Sequence, residues 1–507
     1  MVNLSTFLIM YIVMLSIFSF TYMLSITDLM AIKNATPKNI SYTRHIVELP
    51  SEISWITGKF YDNDMNENTG YNFSDTKQTL LVTQTSDGSI HTLDMTSKDI
   101  PHFVQSITAN SNISTFEVNA SVDTGGPIII DLNNDGNDEI LSTTSNGSLA
   151  IIDYLDRVTM FHNNTNLSPL TQIVPYFDTL EEKSKLLGIS ENGTLLMINP
   201  NKSNNNNHNN NHNNSIRSNT FKFSFEVIET NFSNLLIDDR IVIANIDNNN
   251  PGNEVLILTD PVSTYPHGAL SDTLEPTELL ILGWCQKDNN NNIRALCLKE
   301  IFEPPEGMTV FETIKPVIMQ YSNGTKPSKH IALVASNIDV GSAAYVYNDK
   351  SSIQFSSKPI GHGFRWLLIL GSVKTNNNES MLVINETPHL SGIVKFIDIT
   401  NKSKTMKTEG FSVHDYGSRN IGMYAIADLD NDEQDDLIIP TLNKKTLAII
   451  SIFNDDSTLY VDENLELLDR LSSNVIAMDI NYDGYEDIIA GDRSGNLYMF
   501  ASQVSMS

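Results

Sequence analysis

A nine-residue acidic loop recurs three times in this 507-residue chain, each time between short apolar runs. It reads Asp131-Leu-Asn133-Asn-Asp135-Gly136-Asn-Asp138-Glu139, then Asp428-Leu-Asp430-Asn-Asp432-Glu-Gln-Asp435-Asp436, then Asp479-Ile-Asn481-Tyr-Asp483-Gly484-Tyr-Glu486-Asp487. Side-chain oxygens stand at loop positions 1, 3, 5 and 9, with Gly at position 6 in two copies. A hard divalent cation such as calcium needs carboxylate and amide oxygens converging at about 2.3–2.6 Å, and a sharp turn to bring them together. An EF-hand would also need a bidentate acid at position 12, between two helices. Here position 12 is Ser142, Ile439 or Ala490. The flanking runs read as strands: Gly126-Pro-Ile-Ile-Ile, Met423-Tyr-Ala-Ile-Ala and Asn474-Val-Ile-Ala-Met lead in, and Ile140-Leu or Asp487-Ile-Ile-Ala leads out. Calcium is therefore expected to staple β-hairpins, through Asp131, Asn133, Asp135, Glu139, Asp428, Asp430, Asp432, Asp436, Asp479, Asn481, Asp483 and Asp487. Solvated acidic turns are the alternative, and three copies in one register weigh against it.

The repeat extends beyond the loop into a strand, a tight turn and another strand, as in Glu139-Ile-Leu-Ser-Thr-Thr-Ser-Asn146-Gly147-Ser-Leu-Ala-Ile-Ile-Asp153. Close echoes surround Asp87-Gly88, Asn192-Gly193 and Gly495-Asn496. Asn-Gly and Asp-Gly favour the positive φ values of hairpin turns. Weaker copies of the loop run from Asn245 to Glu254 and from Leu370 to Glu379. Turns near Gly88, Gly147, Gly193, His267, Gly341, Gly392, Lys444 and Gly495 recur at intervals of roughly fifty residues, the period of a β-propeller blade. The expected fold is all-β: a propeller of four-stranded blades over 45–503, behind an N-terminal hydrophobic helix and a linker over 31–44. The span holds seven blades comfortably or eight compact ones, and seven is favoured.

The loop-plus-hairpin unit resembles the FG-GAP/VCBS repeat, the blade of integrin alpha heads and of many secreted propellers. The resemblance covers most of the ordered chain. It departs from the pattern in lacking a literal Phe-Gly…Gly-Ala-Pro string, and only three loops keep every oxygen ligand. It implies structural calcium and a binding or adhesion role.

Residues Phe7–Leu24 form an uncharged apolar run, long for a signal-peptide core and borderline for a bilayer span. Segment 1–30 is read as a cleaved signal peptide or an uncleaved signal-anchor, and either one exports the propeller, as a secreted or a type II membrane protein. Sequons such as Asn34, Asn39, Asn146, Asn192 and Asn385 permit glycosylation. Cys285 and Cys297 flank the Asn-rich turn Asp288–Asn292, so hairpin register would set them opposite each other. A disulfide there would contribute roughly 3 kcal/mol; the alternative is two buried thiols. The stretch Asn204–Asn214, within an insertion at about 201–219, is low-complexity. A net charge of −29 argues against nucleic acid as a partner.

No Gly-x-Ser-x-Gly, His-Glu-x-x-His or phosphate-binding Gly-rich motif is present, and three Trp residues fit a quinoprotein propeller poorly. Arg419 and Arg470 each stand nine residues before position 1 of their loops, and Arg365 and Arg240 hold shifted equivalents. Such arginines would gather at the channel mouth opposite the calcium loops, near His362, Trp366, His414 and Tyr416. That arrangement suits a carboxylate or acidic sugar. The competing reading pairs them with Asp238, Asp415 and Asp469. The reading as a whole is a calcium-stabilised extracellular module for a protein or glycan ligand. Its alternative is a polysaccharide lyase or hydrolase using His362, His414 or Tyr416, and a third possibility is a purely architectural protein.

Overall fold

The computed structural model describes residues 40–61, 78–96, 113–121, 123, 125–153, 158–162, 169–178, 183–202, 223–247, 253–286, 294–321, 328–375, 379–401, 404–452 and 458–504. The apolar run Phe7–Leu24, the stretch Asn204–Asn214 and the turn Asp288–Asn292 lie outside them. One compact unit spans Tyr42–Ser502; of the second, Met1–Ser41 with Gln503–Ser507, only 40–41 and 503–504 are described.

Eight antiparallel sheets follow one another along the chain as the blades of a propeller, the larger of the two counts that the sequence allows. Blade 1 is Ile53–Tyr61, Gln78–Thr85, Ser89–Thr96 and Ile113–Glu117, and blades 2 to 7 repeat this up-and-down order. Blade 8 joins Ile476–Met478, Asp487–Gly491 and Asn496–Val504 to the strand Ile40–Glu48, so the first and last described strands share a sheet and close the ring.

The second strands are deeply buried. Glu139–Thr143, Asp436–Pro440 and Asp487–Gly491 are buried at every position, because neighbouring blades cover both of their faces. The seams between blades also carry a recurrent hydrogen bond. In five blades the carbonyl of the hairpin-turn glycine accepts an N–H from the connection leading to the next blade: Ala120 N to Gly88 O at 2.8 Å, Leu170 N to Gly147 O at 2.9 Å, Leu235 N to Gly193 O at 3.0 Å, Phe411 N to Gly392 O at 3.1 Å and Leu49 N to Gly495 O at 2.8 Å. In blade 7 Lys444 takes the glycine's place at φ 59°, with Leu471 N bonded to its carbonyl at 2.8 Å. The donor residues are buried apolar side chains, so one residue supplies both the polar tie and the packing of each seam.

Blade 5 is irregular. Its inner strand is split into Val310–Phe311 and Val317–Tyr321, both paired with Ser328–Asn337. Pro316, which has no N–H to give a ladder, stands in the gap.

Two positive-φ glycines separate the strain of the turn from the tightness of the seam. A Cβ on Gly392 (φ 57°) would lie 1.9 Å from Phe411 O, whereas a Cβ on Gly363 (φ 82°) would meet nothing within 4 Å. Gly392→Ala is expected to cost about 2 kcal/mol more than Gly363→Ala, measured by denaturant unfolding of both variants. Equal costs would show that the seam yields freely.

Candidate cation loops and central cavity

The three acidic loops share one backbone conformation. Position 4 is left-handed in each, at Asn134 (φ 54°), Asn431 (φ 55°) and Tyr482 (φ 60°), and so is position 6, at Gly136 (φ 91°), Glu433 (φ 69°) and Gly484 (φ 91°). The position-1 carboxylates accept the N–H groups of positions 5 and 6: Asp131 from Asp135 at 3.2 Å and Gly136 at 2.9 Å, Asp428 from Asp432 at 3.1 Å and Glu433 at 2.9 Å, Asp479 from Asp483 at 3.1 Å and Gly484 at 2.9 Å. Position 5 accepts the N–H of position 7 at 2.9 Å in all three. The chain is thereby wrapped round the side-chain oxygens of positions 1, 3 and 5, and the Asp428, Asp430 and Asp432 oxygens lie within 4.8 Å of one another.

The position-9 carboxylate opens the second strand and is buried beneath the loop. It accepts the N–H of position 2: Leu132 to Glu139 at 2.9 Å, Leu429 to Asp436 at 3.4 Å, Ile480 to Asp487 at 2.9 Å. Blade 4 repeats the bond, Ile246 N to Glu254 at 2.9 Å, although its loop is degenerate. There the fourth strand supplies a counter-charge, with Lys299 Nζ 2.6 Å from Glu254. Glu139 and Asp487 have no such cation among the described residues. Burial, with Asp135 and Asp131 adding repulsion, pushes Glu139 up to about 8, and burial likewise raises Asp487 to about 7. Asn133 Oδ1, at position 3, is buried without a hydrogen-bond partner. Orphaned acceptors and uncompensated buried carboxylates beside clustered oxygens fit a divalent cation.

Inner strands begin at the opposite face and end at these loops. Between the two faces runs a central cavity of about 1570 Å³, walled by residues such as Val317, Ile318, Leu368, Leu370, Ile421 and Ile476. Arg240, Lys315 and Arg419 line it at the end opposite the loops, and Asp435 lines it at the loop end.

Of the four sequence-selected arginines, Arg240 and Arg419 line the cavity, whereas Arg365, Arg470, His362 and His414 do not. Arg419 lines the cavity but is engaged by Asp238 at 2.8 Å, Asp272 at 3.1 Å and Asp123 at 3.7 Å. Arg470 pairs with Asp415 at 3.2 Å, which also meets Arg493 at 3.0 Å and Lys444 at 3.3 Å. Arg365 and His362 are exposed and outside the cavity. His414 is fully buried: Nε2 bonds Ser418 O at 2.7 Å, Nδ1 faces His389 Nε2 at 3.3 Å, and burial lowers its pKa to about 3. The Tyr416 hydroxyl donates to His267 O at 2.8 Å. These rings join Phe364 and Trp366 in one aromatic cluster beneath that face.

Cys285 and Cys297 are bonded to each other, with Cα atoms 5.9 Å apart. Cys285 is in register with Ala295 and Cys297 with Gly283, so the bridge runs diagonally across the hairpin rather than between directly opposed residues. Asn385 is buried and donates to Phe411 O, so the folded chain withholds that sequon.

No protein-family model matches the chain, and no curated protein matches it in sequence. Among solved structures it is similar to BBS1N, crystallised in complex with ARL6DN: 10% identity and a TM-score of 0.37, over 77% of this chain and 94% of that one. It is also similar to the N-terminal domain of Nup159: 9% identity and a TM-score of 0.40, over 92% of this chain and 96% of that one. Likeness at this level bears on neither ligand nor partner.

Next to this aromatic cluster lies a second uncompensated carboxyl. Burial, then Glu312, Asp238 and Asp272, push Glu275 up to about 10. The folded state then holds a proton that the unfolded chain releases above its ordinary value near 4.5, so this contribution to stability falls as pH rises from about 4.5 to 10. Glu275→Gln is expected to match the native chain at pH 4.5 and to exceed it at pH 8 by more than about 1 kcal/mol in urea unfolding. Parallel profiles would contradict this.

Proposed function

We propose that the chain is a calcium-stabilised propeller of the FG-GAP/VCBS type, exported and used as a binding or adhesion module for a protein or glycan. The observation that carries the calcium assignment is the contrast between blades. Where the loop is degenerate, Lys299 neutralises the buried position-9 acid; where the loop keeps its oxygens, Glu139 and Asp487 have no side-chain cation. Asp131, Asn133, Asp135 and Glu139 would hold one ion, Asp428, Asp430, Asp432 and Asp436 a second, and Asp479, Asn481, Asp483 and Asp487 a third. The ion's role would be structural: it would offset the buried charge and fix the hairpin.

The binding role rests on the face opposite those loops. Its hairpin turns and inter-blade connections expose Ile338, Phe364, Leu390, Tyr416, Leu442 and Leu468, with Leu390 75% and Tyr416 62% accessible. A cluster of exposed apolar and aromatic side chains on rigid turns is what a recognition surface uses. No observation among the described residues favours the lyase or hydrolase alternative, since His362, His414 and Tyr416 do not line the central cavity.

Thermal unfolding in calcium, in magnesium and in chelator tests the first part. Calcium at a hundred times its dissociation constant should add about 2.7 kcal/mol per site, and Asp428→Asn with Asp479→Asn should abolish most of the gain. An unchanged melting temperature would reduce the loops to solvated turns. For the second part, Leu390→Asp with Tyr416→Asp should remove binding on protein and glycan arrays while leaving the melting temperature within a few degrees. Retained binding would move recognition off this face.

A further inference from the structure

The gap in the inner strand of blade 5 is built rather than frayed. Glu312 N donates to Val334 O at 3.0 Å, Trp366 Nε1 donates to Glu312 O at 3.1 Å, and Arg240 N donates to Ile314 O at 2.7 Å. Thr313 Oγ1 both accepts from Lys315 N at 3.2 Å and donates to Lys315 O at 2.9 Å. The backbone is thus held off the ladder by specific partners. The result is a lysine on the cavity wall, where the other blades present mainly apolar residues.

Lys315 is exposed on the cavity wall, and its ammonium pKa is lowered by desolvation and then by Arg240; none of the described carboxylates offsets these. Arg240 leans over the Trp55 ring at 5.9 Å and donates to neutral acceptors, Gln172 Oε1 at 3.0 Å and Asp123 O at 2.6 Å. Arg419, by contrast, has three aspartates of its own. One end of the cavity therefore carries Lys315, which has no carboxylate partner among the described residues, beside Arg240, whose charge Asp238, Asp239 and Asp123 partly offset. The other end carries Asp435, which accepts Lys374 N at 2.6 Å and lies close to the acids Asp428 and Asp432, and Lys374 lines the cavity there too. Apolar inner-strand residues lie between. Ala332 and Val334 of the second strand, both buried, add to its apolar wall.

We propose that the cavity binds an anionic amphiphile, a long-chain carboxylic acid, with its carboxylate on Lys315 and Arg240 and its aliphatic body along Val317, Val334, Leu368 and Ile421. The head gains charge-assisted hydrogen bonds from the two cations. The body gains apolar contact along the wall. An apolar cavity with a few placed polar groups is the usual form of a small-molecule site.

Calorimetric titration of the full chain with dodecanoate tests this. Saturable binding is expected, weakened at least tenfold by Lys315→Met, which keeps the stem and removes the charge. Acetate, with the head alone, and dodecyltrimethylammonium, with the body and the opposite charge, should both fail to bind. Lys315→Met should melt no lower than the native chain, since it removes an unpaired charge. If it does not fold, Lys315→Arg should retain binding and Lys315→Gln should lose it. No binding of dodecanoate, equal binding by the charge-removed variant, or equal binding of the cationic amphiphile would each overturn the proposal.

Discussion

Much of this ring depends on a carboxylate buried at the first residue of a blade's second strand. Glu139, Glu254, Asp436 and Asp487 all sit there, each accepting one N–H from the loop that brings the chain back from the channel. That bond fixes how far the inner strand runs before it turns, and so how the second strand enters the layer between two neighbouring blades. The position is a costly one for a charge. Blade 4 offsets that cost with a lysine from its own outermost strand, and elsewhere burial raises the pKa of the acid, as at Glu139 and Asp487.

The seams obey a second constraint. A turn residue with positive φ leaves its carbonyl pointing at the next connection, and the same connection buries an apolar side chain between the blades. Hydrogen bond and packing are coupled, so each blade sets the angle of the next. The gap in blade 5 leaves this arrangement in place, because it alters only the innermost strand. The channel wall can change while the ring stays closed.

What the sequence revealed follows from how local the physics is. Six of the eight hairpin turns were readable because positive φ selects Gly, Asn or Asp next to short apolar runs; Lys444 and the long His267 loop were found by spacing alone. Those eight turns correspond to the eight blades one by one, whereas chain length by itself favoured seven. The acidic loops were readable for the same reason. Less local features were not. Lys299 meets Glu254 from 45 positions away, and Arg419 meets Asp238 from 181 away. Nothing in either segment announces the other. A strand with one proline and one lysine did not signal a gap over Glu312–Pro316, since the partners that hold it open, Arg240 and Trp366, come from other blades. A diagonal disulfide was out of reach too, because it depends on a register shift between Ile281 and Leu282.

The shared sheet of blade 8 has a mechanical consequence. Strand Ile40–Glu48 is the outermost strand there, held through Asn496–Val504, and Arg44 reaches sideways to the Glu466 carbonyl of blade 7. Tension applied to the chain ahead of residue 40 would load this strand before any other, at the rim rather than along the axis. The first event under pulling would be loss of one edge strand, which opens the ring at a single seam while seven blades keep all their strands. Such a ring has a defined point of yielding, and the hydrogen bonds of that one strand set the force at which it gives way.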